Sequence, residues 1–479
     1  MNDSRPTGPS TASAPAGADA DNGVWAPHRR SLTVGLLLTI TLVALEALAI
    51  ATVMPDVRAD LGWFALYGWV FSGFFLASLL GIVVAGHLAD RQGAVVPFTV
   101  GLVLFAIGLV VGGLAESMVV LVAGRLLQGL GAGAISSTGY TAIARAYPMS
   151  VRPRMFALLS TAWVVPGLIG PAIAAGVEHA WSWHWVFLGL LPFVLVAGVL
   201  TVPPLARLGA VGVPVDPDPL TQAAGRRRLG RVVVLVVGVG AVLAAATDAP
   251  GALAAGLVVL GLPAACWAFV GLVPAGTVRL APGVPASVAV RGILTGAFFS
   301  ADAYLSLAVV EGRGAETWLA GIALSASAVL WALGSWYQAR EIDRLGPRRL
   351  DALGFLAIMF GVALLLAVAL GAPVWLVVPA WGVAGIGMGM AYSPLAITVL
   401  AAARPGEEGQ ASAALQLSDT LGVAVGTGIG GAYVALADAQ GWAVTMGVAL
   451  VFATALVVAI GGLFATRRLP EWVPHQSEG

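Results

Sequence analysis

From Ser31 onward, long apolar runs alternate with short segments rich in charge, glycine or proline. In the first 203 residues the runs fall near 32–54, 64–88, 95–114, 117–145, 155–177 and 184–203. Each has the length of about twenty residues that an α-helix needs to cross the hydrocarbon layer. A polar segment over 204–231 follows, carrying Arg226, Arg227, Arg228 and Arg231. Two more apolar runs, 232–247 and 252–273, are joined by Thr247-Asp248-Ala249-Pro250-Gly251, and six others lie near 286–310, 316–340, 350–370, 374–401, 410–436 and 442–464. The pattern predicts an all-α polytopic membrane protein with fourteen transmembrane helices. The expected divisions are a disordered cytoplasmic tail over 1–30, a six-helix bundle over 31–203 and a basic cytoplasmic linker over 204–231. Two additional membrane helices over 232–273, a second six-helix bundle over 274–468 and a cytoplasmic tail over 469–479 complete the chain.

Composition agrees and narrows the function. Of 479 residues, 59% are hydrophobic and 10% charged, whereas a soluble domain is about 45–50% apolar and about 25% charged. A soluble enzyme, a disordered chain, a disulfide scaffold and a basic nucleic-acid binder are excluded. Sixty-two glycines and 28 prolines suit membrane helices better than a soluble bundle. The 24 basic residues balance 24 acidic ones, so bulk charge indicates no polyanionic partner. Every basic residue is arginine, which reads as the codon usage of a GC-rich, bacterial genome. Cys266 is the single cysteine, so no intrachain disulfide forms, and no Cys/His cluster suggests a metal.

Arginine placement sets the orientation. With a cytoplasmic amino terminus, 21 of the 24 arginines fall in inside segments, Arg58 and Arg313 lie outside, and Arg125 is left within the membrane. This obeys the positive-inside rule in both halves and puts both termini in the cytoplasm, in a bacterial cytoplasmic membrane. The first apolar run contains Glu46 and reads as a retained helix, not a cleaved leader.

The two six-helix blocks match at an offset of about 256. Thr39 and Glu46 correspond to Thr295 and Asp302; Gly129-Leu130-Gly131-Ala132-Gly133 corresponds to Gly385-Ile386-Gly387-Met388-Gly389. Asp90-Arg91-Gln92-Gly93 corresponds to Asp343-Arg344-Leu345-Gly346 at an offset of 253. Two parallel repeats facing one another across a central pathway are a transporter design.

These residues resemble the major facilitator superfamily, and within it the fourteen-span drug:proton antiporters. Gly86-His87-Leu88-Ala89-Asp90-Arg91-Gln92-Gly93 is similar to the signature of the loop between spans 2 and 3, although Ala94 and Val95 stand where the family has a basic pair. Arg348 and Arg349 supply that pair in the second copy. Gly124-Arg125-Leu126-Leu127-Gln128-Gly129-Leu130-Gly131 is similar to the span 4 signature with its membrane arginine. Gly167, Gly170, Pro171 and Gly176 resemble the span 5 antiporter signature, with Pro166 and Ala174-Ala175 departing from it. Leu45-Glu46 through Pro55 follows the span 1 signature with Glu46 for the usual Asp, and Trp183-His184-Trp185-Val186-Phe187 fits the start of span 6. The resemblance covers Ser31 to Arg468 and implies the facilitator fold, proton-coupled drug export, and a part for Arg125 in proton transfer.

Four ionisable residues fall inside predicted spans: Glu46, Arg125, Asp302 and Asp419. A charge at mid-bilayer costs at least about 2.5–3.5 kcal/mol, so each is a candidate for proton coupling. Low dielectric disfavours a charged carboxyl, which lets Glu46 load and release a proton; the plain alternative is an ion pair locking Glu46 to Arg125. Arg125 stays charged at any relevant pH and acts as a fixed charge. Asp302 is a second proton or cation site or a structural acid, and Asp419, near its helix end, either couples protons or reaches water. Asp90, Arg91, Gly93, Asp343, Arg344 and Gly346 read as gating turns, or as plain topology signals. Trp163, Phe298, Phe299, Tyr304 and Tyr392 are candidates to line a cavity for flat apolar compounds, the alternative being packing or lipid contact.

A Walker loop needs a lysine and the chain has none, so the energy source is an ion gradient, worth about 2.3 kcal/mol per charge per 100 mV. The expectation is a monomeric, cofactor-free, non-enzymatic exporter of small hydrophobic or amphipathic compounds working by alternating access, with small-molecule substrate, protons and the lipid bilayer as its partners. A narrow-specificity lipid, metabolite or natural-product carrier is the alternative, and a non-transporting receptor or enzyme a distant one. Neither a nucleophile–base pair nor a large extramembrane segment is present to favour the last.

Overall fold

The computed structural model describes residues 23–148, 151–162, 164–207, 219–247, 250–402 and 408–470. The described residues form helices throughout: α1 Pro27–Leu61, α2 Tyr67–Gln92, α3 Val95–Gly113, α4 Met118–Ala146, α5 Arg152–Thr161, α6 Val164–Ala180, α7 His184–Leu188 and α8 Leu191–Arg207. After the linker come α9 Pro219–Thr247, α10 Gly251–Val270, α11 Val284–Val310, α12 Thr317–Ala369, α13 Val377–Ala401, α14 Glu408–Ala439 and α15 Val444–Ala465.

Among the described residues, twelve helical segments are long and apolar enough to cross a membrane. Two features separate this number from the fourteen expected. Spans predicted over 316–340 and 350–370 run together in the 53-residue α12, whose backbone leaves helical geometry at Gly346 (φ 73°, ψ 159°) just before Pro347. The span predicted over 155–177 is divided between α5 and the 17-residue α6, each too short to qualify. Pro166 sits in the first turn of α6, where its missing N–H does no harm but where a helix arriving from α5 could not run through unbroken.

Glycines determine how closely the helices approach, and they do so twice. A Cβ on Gly129 or Gly133 would strike the carbonyls of Phe74 and Ser78 on α2, and one on Gly131 would strike Gly101 on α3. In the second half, Gly385 and Gly389 press on the carbonyls of Ser327 and Trp331, while Gly387 presses on Gly354 in the arm of α12 beyond Gly346. Thus α4 and α13 each occupy the middle of a three-helix layer, with alternate glycines facing opposite neighbours. Gly93 (φ 85°) and Gly346 (φ 73°) occupy matching turns in a left-handed conformation that a side chain rarely adopts.

The halves meet where α14 packs on α2, α6 on α12, and α1 on α11. Gly68 of α2 lies against Gly431 of α14, Gly167 against Ala328 of α12, and Gly321 of α12 against the carbonyl of Pro171. The additional pair, α9 and α10, pack on one another, and α9 rests on both α2 and α14. Helix α10 is the least buried crossing and leaves Val259 and Leu260 largely exposed, as a lipid-facing helix would.

Overpacking a tight crossing costs about 1–3 kcal/mol. Gly129→Val is therefore expected to lower thermal stability in detergent, read as the melting midpoint of monodisperse protein. Gly139→Ala, where no atom lies within 4 Å of the added carbon, is expected to leave that midpoint unchanged. Equal effects of the two would contradict this packing.

Candidate functional site

Glu46 of α1 and Arg125 of α4 meet in a salt bridge in which both side chains are almost completely buried. Arg125 is held by more than the acid. Its Nε donates to the carbonyl of Val70 at 3.0 Å, one terminal nitrogen donates to Gln128 Oε1 at 2.6 Å, and the guanidinium lies 4.3 Å from the centre of the Phe74 ring. The arginine is thus fixed by α2 and by its own helix. Glu46 is less tied down, because its Oε2 is buried with no hydrogen-bond partner. A carboxyl with one oxygen on a fixed cation and the other free has a place to accept a proton without dismantling its surroundings.

The second half repeats this geometry with different chemistry. Asp302 accepts a hydrogen bond at 2.8 Å from the indole nitrogen of Trp381, which is fully buried. The 256-residue offset that pairs Glu46 with Asp302 also pairs Arg125 with Trp381, so a neutral donor stands where the first half has a cation. Phe298 stacks on Trp381 (4.6 Å, 19°) and meets Trp331 edge-on (5.7 Å), and Trp331 in turn meets Tyr392 at 5.5 Å. With Phe299 beside Phe298 and Trp331, these residues form an aromatic wall across α11, α12 and α13. Tyr304 is packed away: it is fully buried, donates to the carbonyl of Thr427 at 2.6 Å and lies 5.4 Å from Tyr67 of the first half. Trp163 lies outside the described residues.

Asp419 belongs to a separate group. Arg291 Nε donates to Asp419 Oδ1 at 3.0 Å, Tyr392 donates to Oδ2 at 3.3 Å, and a further arginine nitrogen donates to the backbone carbonyl of Tyr392. Sequence reasoning assigned Arg291 to the inside charges and passed over Asp351; both are buried within helices. Their positions within a turn or two of predicted span ends hid them, and only the apolar pattern continuing around them offered a signal.

At the turns, Arg91 is exposed, Gly93 closes α2, and Arg145 donates to the carbonyl of Ala89 at 3.3 Å. The side chain of Asp90 lies outside the described residues. Asp343, Arg344 and Gly346 line a pocket of about 710 Å³ with Arg348, Arg349 and Arg467, at the rim of the second half and away from the Glu46 pair. Gly167 and Pro171 face α12, Gly170 faces Leu45 of α1, and Gly176 has open space around it.

Where α1 and α11 end, Arg58 pairs with Glu311 at 2.9 Å and lies over the Phe64 ring, while Thr317 donates to Asp56 at 3.3 Å. This clasp joins the two halves. Burial pushes the Glu311 carboxyl above the usual carboxylate range; Arg58 opposes the shift, and Asp56 and Asp438 add to it.

The fold and the buried charges define a polytopic helical membrane protein built from two related halves. A sequence model of the Major Facilitator Superfamily matches residues 36–427, and the chain belongs to that family. It is 27% identical over 460 residues to a probable multidrug-efflux transporter of Mycobacterium tuberculosis strain H37Rv, covering 90% of this chain and 94% of that one. It is 33% identical over 156 residues to multidrug resistance protein 3 of Bacillus subtilis, a match spanning 33% of this chain and only 30% of that relative. Among solved structures, a POT family transporter in complex with 5-aminolevulinic acid superposes with a TM-score of 0.66 at 18% identity, covering 91% of this chain and 95% of that one. An inward-facing, unoccupied bacterial homolog of the human lysosomal transporter Spinster gives 0.63 at 15% identity, covering 94% and 99%. At these identities the structures establish the fold.

The raised Glu311 favours the folded chain at low pH, a contribution lost as pH rises through its folded value, but within the folded chain protonation removes the partner of Arg58. Mild acid is therefore expected to loosen the clasp. Glu311→Gln should mimic acid at neutral pH, shifting the balance of closed and open clasps by roughly two- to five-fold, as suits a partly exposed ion pair. Distances between spin labels at the adjoining ends of α1 and α11 report this, and a distribution insensitive to both acid and the substitution would contradict it.

Proposed function

We propose that the chain is a proton-coupled secondary active exporter of small hydrophobic or amphipathic compounds, working by alternating access. The observation that carries this reading is the buried Glu46–Arg125 pair with its one unpartnered carboxylate oxygen. Protonation of Glu46 neutralises one member of a pair that joins α1 to α4, and the fixed arginine then loses its counter-charge in a low-dielectric interior. That cost biases the halves toward the conformation in which Glu46 gives up its proton again and the carboxylate restores the balance. Support for the substrate class comes from relatives named multidrug-efflux transporters and from the aromatic wall of Phe298, Phe299, Trp331 and Tyr392.

The same reading divides the crossings into two six-helix bundles over 31–203 and 274–468, with 232–273 as an additional pair. Counting the two arms of α12 separately, and the α5–α6 segment as one crossing, gives fourteen. In this reading the arginine distribution sets both termini in the cytoplasm of a bacterial cell and makes the Arg58–Glu311 clasp external. The carrier acts as a monomer, with the proton gradient in place of a cofactor. Asp302 and Asp419 are the further acids proposed to take part in proton coupling, and the turns around Gly93 and Gly346 gate the cytoplasmic side.

In proteoliposomes with an imposed pH gradient, wild-type protein should export a cationic dye such as ethidium. Glu46→Gln should insert normally and lose this pH-driven export by at least ten-fold, about 1.4 kcal/mol or more in the coupled step. Undiminished gradient-driven export by Glu46→Gln would overturn the reading.

A further inference from the structure

Asp351 is the strangest group in the molecule. It lies five residues beyond the Gly346 turn, in the second arm of α12, fully buried, and neither carboxylate oxygen has a hydrogen-bond partner. The cation acting on it is Arg291, itself only 5% exposed. Arg291, however, is already engaged. It donates to Asp419 and to the backbone carbonyl of Tyr392, and its guanidinium carbon lies 3.1 Å from the centre of the Tyr392 ring.

The surroundings offer little else. Helix α15, which packs on α12, carries no titratable residue across Val444–Ala465, and α13 carries only Tyr392. On α11 the other titratable residues are Asp302 and Tyr304, three turns or more from Arg291; on α14, Asp419 is the near acid, with Glu408, Tyr433 and Asp438 more than ten residues away along the helix. Arg348, Arg349 and, beyond α15, Arg467 line the rim pocket. Two carboxylates therefore lie in the field of one buried guanidinium that bonds only Asp419, leaving an excess negative charge if both are ionised. Asp419 receives two donors and is the better home for the charge; Asp351 receives none.

We propose that Asp351, Arg291 and Asp419 form a second proton-binding site, separate from Glu46–Arg125, in which one proton held by Asp351 balances the cluster. Asp419, 21% exposed, is the member of the cluster that reaches toward the surface. Removing that proton charges Asp351 and sets it in competition with Asp419 for Arg291. The link between α11 and α14 then weakens, and α14 is a helix that packs on the first half. The part this plays in transport rests on the proton-coupled reading above, but the bound proton does not.

The test is an infrared pH titration of the full chain in lipid nanodiscs without substrate. Wild-type protein should show the carbonyl stretch of a protonated, dry carboxylic acid. That band should be lost in Asp351→Asn and kept in Glu46→Gln. Asp419→Asn, on another helix and partly exposed, should move it to lower pH, because Arg291 is then free to hold Asp351 charged; this variant decides the matter if Asp351→Asn fails to fold. A band unchanged in Asp351→Asn, or in Asp419→Asn, overturns the site. If the band behaves as stated while Glu46→Gln exports dye normally, the transport reading falls and the site stands. If Glu46→Gln abolishes export while the band ignores Asp351 and Asp419, the site falls and the reading stands.

Discussion

A charge buried between membrane helices must find its counter-charge inside the protein, because hydrocarbon supplies none. Arg125 meets that demand in this chain. It is held by Val70, Gln128 and Phe74 as well as by Glu46, so the arginine belongs to the scaffold and the acid is the variable member. Deleting either charge from such a pair leaves the other to its full desolvation cost for good, whereas protonating Glu46 imposes that cost on Arg125 only while the proton stays bound. A pair of this kind can answer to a proton as well as reinforce the contact between α1 and α4.

The repeat explains how one backbone design carries two chemistries. The glycines of α4 and α13 place residues 125 and 381 at equivalent heights beside equivalent acids. An arginine in one and a tryptophan in the other give a charged pair in the first half and a neutral hydrogen bond surrounded by aromatic rings in the second. The half with the cation holds a charge pair, and the half with the indole an apolar stack. The buried cation of the second half, Arg291, lies instead on α11, about three turns from Asp302, and bonds Asp419.

Much of this was legible in the sequence because membrane helices advertise themselves. Apolar runs of twenty residues located nearly every helix, the arginines gave an orientation, and Glu46 and Arg125 stood out as charges far from any span end. Their direct contact was the plain structural alternative to proton carriage by Glu46, and the structure places them together. What escaped notice has physical causes. Asp351 and Arg291 sit near helix ends, where charge is ordinary in a sequence and only tertiary burial makes it unusual. Trp381 matches Arg125 in the repeat, but an aromatic residue in an apolar run carries no sign that it will donate to an acid. The run-on of α12 at Gly346 and the division at α6 depend on local backbone geometry that hydropathy does not register.

In the proposed cycle Glu46 exchanges a proton for substrate. The most direct measurement is proton release from purified, weakly buffered protein on addition of ethidium, followed with a pH-indicator dye. The release should saturate with ethidium binding in the wild type and be lost in Glu46→Gln. An equal release from both proteins, with ethidium bound in each, would contradict it.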